Sequence, residues 1–243
     1  MNWVLLIIAA VAALIGGGLL WWRANVGKEL GLMLATETSS AKDIAGKAPG
    51  TLVELKGALK ADALLTSDFT STACVYYRSL TEREVERITH DSDGKRETRR
   101  EYETENDVVR FAPSARVEDA SGSVVIEFDG AKVEGKQVHQ RRESDMGVGA
   151  LVGSLLGAGG GTIAHRYTEW VIEAGVPVYV LGTANGGKVG KAADKKQPFV
   201  ISIKSEEERE KSLGRTRMWQ MVGAVVALLI AAGLLYAAFT AGP

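Results

Sequence analysis

Few residues in this 243-residue chain have the type and spacing to do chemistry. Cys74 is the sole cysteine, which excludes an intrachain disulfide and any site built from several thiolates. A lone cysteine can be a nucleophile with a distant histidine. Cys74, however, sits in the apolar run CVYYRSL with no motif around it and reads as a small buried hydrophobe. His90, His139 and His165 stand singly, without the i,i+4 or C-x-x-C companions of a metal site, so neither a metal nor another cofactor is expected. The carboxylates of 81–107 interleave with Arg and Lys, the pattern of a solvated face rather than of an acid/base pair. No catalytic set is expected.

The same stretch carries Arg83, Arg87, Lys95, Arg96, Arg99 and Arg100, with Tyr102 nearby. Nucleic acid is not the expected partner, because Glu97, Glu101, Glu103 and Glu105 offset these cations and aromatics for stacking are few. They are candidate contacts for a protein. A second candidate surface lies in 146–164 (MGVGALVGSLLGAGGGTIA), which lacks charge and places Gly149, Gly153, Gly157 and Gly161 four apart. On a helix they form a glycine face; the alternatives are a segment lying on a membrane and a Gly-rich loop between strands. A third membrane crossing is disfavoured, since glycine gains almost nothing in lipid. A nucleotide site is excluded: GVGALVG has the wrong spacing for G-x-G-x-x-G, and no G-K-[ST] follows. No small-molecule substrate is identified.

The elements that position these residues begin and end with apolar spans. Residues 3–22 and 218–239 are uncharged and long enough to cross a bilayer as helices. A cleaved signal peptide is the alternative for the first, but no Lys or Arg precedes it and no small-x-small site precedes Arg23. Trp3, Trp21, Trp22, Arg23, Arg215, Arg217 and Trp219 are the expected interface anchors. With Lys and Arg on the inner flanks only, the domain 23–217 is expected in the cytoplasm and both termini outside. Small residues four apart (Ala9, Ala13, Gly17; Gly223, Ala227, Ala231) suit close pairing of the spans, with each other or with a second copy. Net charge is −1, so no global pull toward nucleic acid or anionic lipid exists.

Between the spans, 23–50 reads as a linker with a short helix starting near Thr38 or Ser39, and 51–204 as a β domain of seven or eight strands. TLVELKGAL alternates; Asp93-Gly94 centres a long charged hairpin; Ser121-Gly122 and Ala174-Gly175 mark further turns. Val124, Ile126 and Phe128 share one strand face. That rhythm suits a small closed barrel of the OB type. Residues 205–217 open with the capping box Ser205–Glu208 and continue as a charged juxtamembrane helix. The expected fold class is therefore mainly β and membrane-anchored, with two transmembrane helices flanking an OB-like barrel domain that carries a long charged hairpin.

In order, LVELKGAL, CVYYR, VEDASGSVVI, EWVIEAGVPVYVLG and PFVISIKSEEE, followed by a charged helix and a span, resemble the GIDE domain. This domain, also called the beside-a-membrane domain, belongs to MULAN-type membrane-anchored ubiquitin ligases. The resemblance covers about 51–239. In the ligases a Cys/His-rich RING follows the second span; here one cysteine cannot build a RING zinc site, so no zinc ligand carries over. The resemblance implies a RING-less, prokaryotic member in the cytoplasmic membrane, with an organelle outer membrane as the alternative. The expected function is non-catalytic binding of a protein partner, or self-association, at the bilayer surface. The alternatives are a ubiquitin-ligase component that borrows a RING from another chain, and membrane organisation through the Gly-rich segment.

Overall fold

In the computed structural model, which describes residues 3–90, 96–144, 161–194 and 197–240, the alternating run LVELKGALK forms strand β1 (Leu52–Lys60). Its pleat sends Val53, Leu55 and Leu59 to one buried face. That face closes a barrel. β1 pairs antiparallel with β6 (Arg116–Asp119) on one side and with β11 (Pro177–Asn185) on the other. β6 turns back as β7 (Gly122–Ile126); β7 runs parallel to β12 (Lys188–Gly190), and β12 returns antiparallel to β11. The ring β1-β6-β7-β12-β11 thus has five strands, the barrel that the sequence predicts. Val117, Val124, Ile126, Phe128, Val178, Val180 and Val189 fill it together with the β1 residues. Beside β6, Gly57 has no space for a side chain: a Cβ there would stand 2.4 Å from the Glu118 carbonyl oxygen.

A short helix α2 (Ala41–Ile44) contributes Ala41 and Ile44 to the same core. Ser40 caps it, its hydroxyl accepting the Asp43 N–H, and the Ala41 N–H donates to the Asp119 carboxylate at 2.8 Å. Beyond the ring, β13 (Val200–Ser202) adds to β11 and β8 (Lys132–Glu134) adds parallel to β13.

A four-stranded antiparallel sheet grows out of the barrel wall. Its strands are β4 (Tyr76–His90), β5 (Arg96–Phe111), β9 (Lys136–Ser144) and β10 (Gly161–Ile172), in the order β5-β4-β10-β9. Val75, Tyr76, Ala112 and Ile172 join the barrel core and root the sheet in it. A small hairpin, β2 (Leu65–Thr66) with β3 (Ala73–Cys74), lies just before β4. The charged hairpin is therefore present, paired from Tyr76 opposite Phe111 to His90 opposite Arg96 with one bulge at Glu105. Its Asp93-Gly94 turn lies outside the described residues. Thirteen strands among the described residues exceed the seven or eight expected. Four of the extra ones, β2, β3, β8 and β12, have only two or three residues, too few for any periodic signal.

Residues Met1–Thr38 and Lys204–Pro243 form a separate compact unit from Ser39–Ile203. It consists of α1 (Trp3–Ala35) and α3 (Glu206–Thr240), both long and apolar enough to cross a membrane. Gly16 faces Leu228 and Ala224, Leu19 faces Gly223, and Gly27 faces Arg217, so the helices run antiparallel. Two expectations are corrected. The linker read from 23 begins helically: ANVGKELGLMLA continues α1 to Ala35, because its Ala, Leu, Met, Lys and Glu favour helix. The seam also does not follow the four-residue stripes. Ala9, Gly16, Leu30 and Ala224, Ala231, Ala238 are buried at spacings built on seven, while Ala13 and Gly17 are exposed. A seven-residue repeat keeps a straight contact line between two supercoiled helices, which a four-residue stripe cannot do.

Candidate interaction surface: the charged sheet

Along β4 and β10 successive side chains alternate faces, so the charge pattern of the sequence becomes two charged surfaces. On the first, three arginines bridge strands. Arg78 of β4 grips Asp107 of β5 with two hydrogen bonds of 2.7 Å, and its guanidinium lies 5.5 Å from the Trp170 ring. Arg166 of β10 bonds Glu82 at 2.8 Å (Nε) and lies 3.9 Å over the Tyr102 ring. Arg142 of β9 reaches Glu84 at 2.7 Å (Nε) and 2.6 Å (Nη2), nearly burying that carboxylate. The result is a lattice of planar groups across all four strands, in which each guanidinium is fixed by a fork or a ring face. The Arg78 hydrogen bonds hold Asp107 below its ordinary pKa, and Asp107 in turn raises Arg78.

The second face is layered. Toward the far end of the hairpin, Glu103 accepts from Arg83 at 2.6 Å and Arg87 at 2.5 Å, and these hydrogen bonds lower its pKa. Arg87 also meets Glu101 at 3.1 Å, and His165 Nε2 lies 3.4 Å from Glu105. Nearer the barrel, the loop from Ser67 to Thr72 folds over this face. Phe69 packs edge-on against Tyr167 and near His139. Beneath it Glu169 is fully buried and accepts from Ser67 Oγ (2.9 Å), Phe69 N–H (2.7 Å), Thr70 N–H (3.2 Å) and Thr70 Oγ1 (2.5 Å). Burial raises its pKa, but these donors together outweigh that and leave it lowered. Ser71, the one described non-glycine residue with positive φ (53°), makes the turn of this loop.

Of the predicted contact residues, Arg83, Arg87 and Arg100 are spent on Glu103, Glu101 and Glu86 across the hairpin. Arg99 stands opposite Arg87 and pairs with no carboxylate among the described residues. The Lys95 position and the Arg96 side chain lie outside the described residues. So do Gly149, Gly153 and Gly157. Gly161 is corrected: it starts β10 and pairs with Glu86, so it belongs to a strand and not to a helical glycine face. The chain there must be extended to continue the ladder opposite β4.

The strongest cross-strand arginines, Arg78, Arg142 and Arg166, were not singled out from sequence. Their acidic partners lie 29, 58 and 84 positions away, beyond any local pattern. Cys74 is buried, and burial, then Glu169 and Glu173, push its thiol up to about 11. It is a thiol at neutral pH and a poor nucleophile. Among the described residues no group of three His, Cys, Asp or Glu is placed to hold a metal ion.

In the helical unit Trp3, Trp21, Trp22 and Trp219 are exposed on the outside of the pair, as is Arg215. Arg23 and Arg217 each have a buried Nε with no hydrogen-bond partner among the described residues.

The family model GIDE, described as E3 Ubiquitin ligase, matches residues 84–236, from the middle of β4 into α3. No curated protein and no solved structure matches the chain.

Proposed function

The chain belongs to the GIDE family, and on that premise we propose that it is a membrane-anchored, non-catalytic module that binds a protein at the bilayer surface. The observation that carries the reading is the four-stranded sheet with its arginine–carboxylate–aromatic lattice. An ordered, mixed-charge face with exposed Tyr102 offers a partner pre-organised forks and a flat ring at little entropic cost. The helical pair supplies the tether. Its antiparallel course fits a domain held at both ends on one side of the membrane, with the Lys/Arg bias favouring the cytoplasmic side.

A photo-crosslinking residue at Tyr102, used in intact membranes, is expected to capture one discrete protein, a partner or a second copy. The same residue at Val125, exposed on the barrel, is the control. Equal yields of the same products from both positions would remove the lattice from the proposal. The family match favours one second reading, a ubiquitin-ligase component that works with a RING on another chain. A RING-containing or ubiquitin-conjugated protein in the Tyr102 product supports it, and a product of any other kind counts against it.

A further inference from the structure

The seam between α1 and α3 changes character along its length. From Ala9 to Gly16 and from Ala224 to Ala238 it is apolar and small; at Arg23, Arg217 and Gln220 it becomes polar. Gln220 is 5% exposed, and neither oxygen nor nitrogen of its amide has a hydrogen-bond partner. The Nε atoms of Arg23 and Arg217 are buried and unpartnered as well, and neither guanidinium meets a carboxylate among the described residues. Gly27 makes the room. A Cβ there would lie 3.3 Å from Arg217 Nη2 and 3.4 Å from Cζ, so the guanidinium lies flat against bare backbone. With Leu19 over Gly223 and Gly27 against Arg217, the register brings Arg23 into the same two turns of the seam.

The depth of this cluster is set by the spans. Residues 3–22 of α1 and 218–239 of α3 each cover about 30 Å of helix, the thickness of a hydrocarbon core. Arg23 and Arg217 are the first residues beyond those stretches on the same side, ringed by exposed Trp21, Trp22 and Trp219 at headgroup level. Two guanidiniums and an amide there require an acceptor-rich, negatively charged group. Phosphate oxygens match the arginine fork, whereas a zwitterionic headgroup brings its own cation to the site.

We propose that Arg23, Arg217 and Gln220 form a binding site for the phosphate of an anionic phospholipid, seated between the two helices at the membrane surface. The site rests on the reading of α1 and α3 as bilayer spans, which alkaline extraction from membranes tests separately. A protein released by alkali fails that earlier reading. A retained protein without lipid preference fails only this one.

The test uses the full chain in nanodiscs of phosphatidylcholine, with or without added phosphatidylglycerol. Native mass spectrometry counts the lipid retained on the protein, and thermal unfolding reports any stabilisation. Two guanidiniums at headgroup level predict a preference of about 30-fold for phosphatidylglycerol, with a higher unfolding temperature. Arg217→Gln should cut the preference sharply. Gln220→Leu, which makes the seam apolar and keeps the pair folded, should lower it too. Arg215→Gln, an exposed arginine on the same turn, should leave it intact. Adding inorganic phosphate to phosphatidylcholine discs separates the sources: an equal stabilisation supports the anion site with a soluble phosphate as its ligand. No preference in the unmodified protein overturns the proposal. So does a preference that survives both seam variants, or one that Arg215→Gln removes as fully as Arg217→Gln.

Discussion

Glu169 shows what a buried charge requires here. It sits at 0% exposure and keeps its charge because hydroxyl and backbone donors of one loop surround both oxygens. Its folded pKa is lowered from 4.5, so the stabilisation is complete above that value and is lost as pH falls through the lower folded pKa. Glu169→Gln is expected to cost about 2–4 kcal/mol at neutral pH and to flatten the acid limb of a stability–pH curve, measured by urea unfolding of the 39–203 unit. An acid limb unchanged by the substitution would place the linkage elsewhere. Cys74 gives the complementary case. With its pKa near 11 and no solvent exposure, it should resist maleimide in the native protein at pH 8 and react only as the domain unfolds. The burial of Cys74 is legible in CVYYRSL. The Glu169 cradle is not, since the loop that builds it lies about a hundred positions earlier.

At the scale of elements, legibility followed periodicity. β1, β7 and β11 alternate or carry β-branched runs and each walls the barrel; Val124 and Ile126 of β7, with Phe128 just beyond it, share the buried face that the sequence predicts. β9 carries no readable strand signal, because KQVHQRRES is a sheet edge with almost no buried residue and hence no alternation. The helical seam is ambiguous in the sequence for a different reason. Ala and Gly are so frequent in both spans that stripes of four and of seven coexist, and only packing chooses between them. Two substitutions examine these elements. Gly57→Ala would place a methyl 2.4 Å from the Glu118 oxygen and is expected to destabilise the barrel by about 1–3 kcal/mol, seen as a lower unfolding midpoint. Ala231→Leu puts a large side chain at a buried seam position. It should separate the spans, reducing disulfide trapping between cysteines introduced at Leu19 and Gly223, whereas Leu at exposed Ala13 should not.

At the scale of the whole chain, a GIDE-family β domain lies in sequence between two helices of membrane-spanning length. The proposed orientation predicts that protease added outside sealed cytoplasm-containing vesicles leaves 39–203 intact, and that opening the vesicles exposes it to cleavage. The barrel itself has one further effect. β1 pairs along one side of β11 and β13 along the other, so the first and last strands of the domain are held within roughly 20 Å of each other. A helix leads into the first and follows the last. Folding of the domain therefore turns the meeting of the two helices into an intramolecular event at an effective concentration in the millimolar range. Against that local excess, helices of other copies compete poorly. The barrel is a clasp, and it favours a helical pair within one chain over exchange between chains.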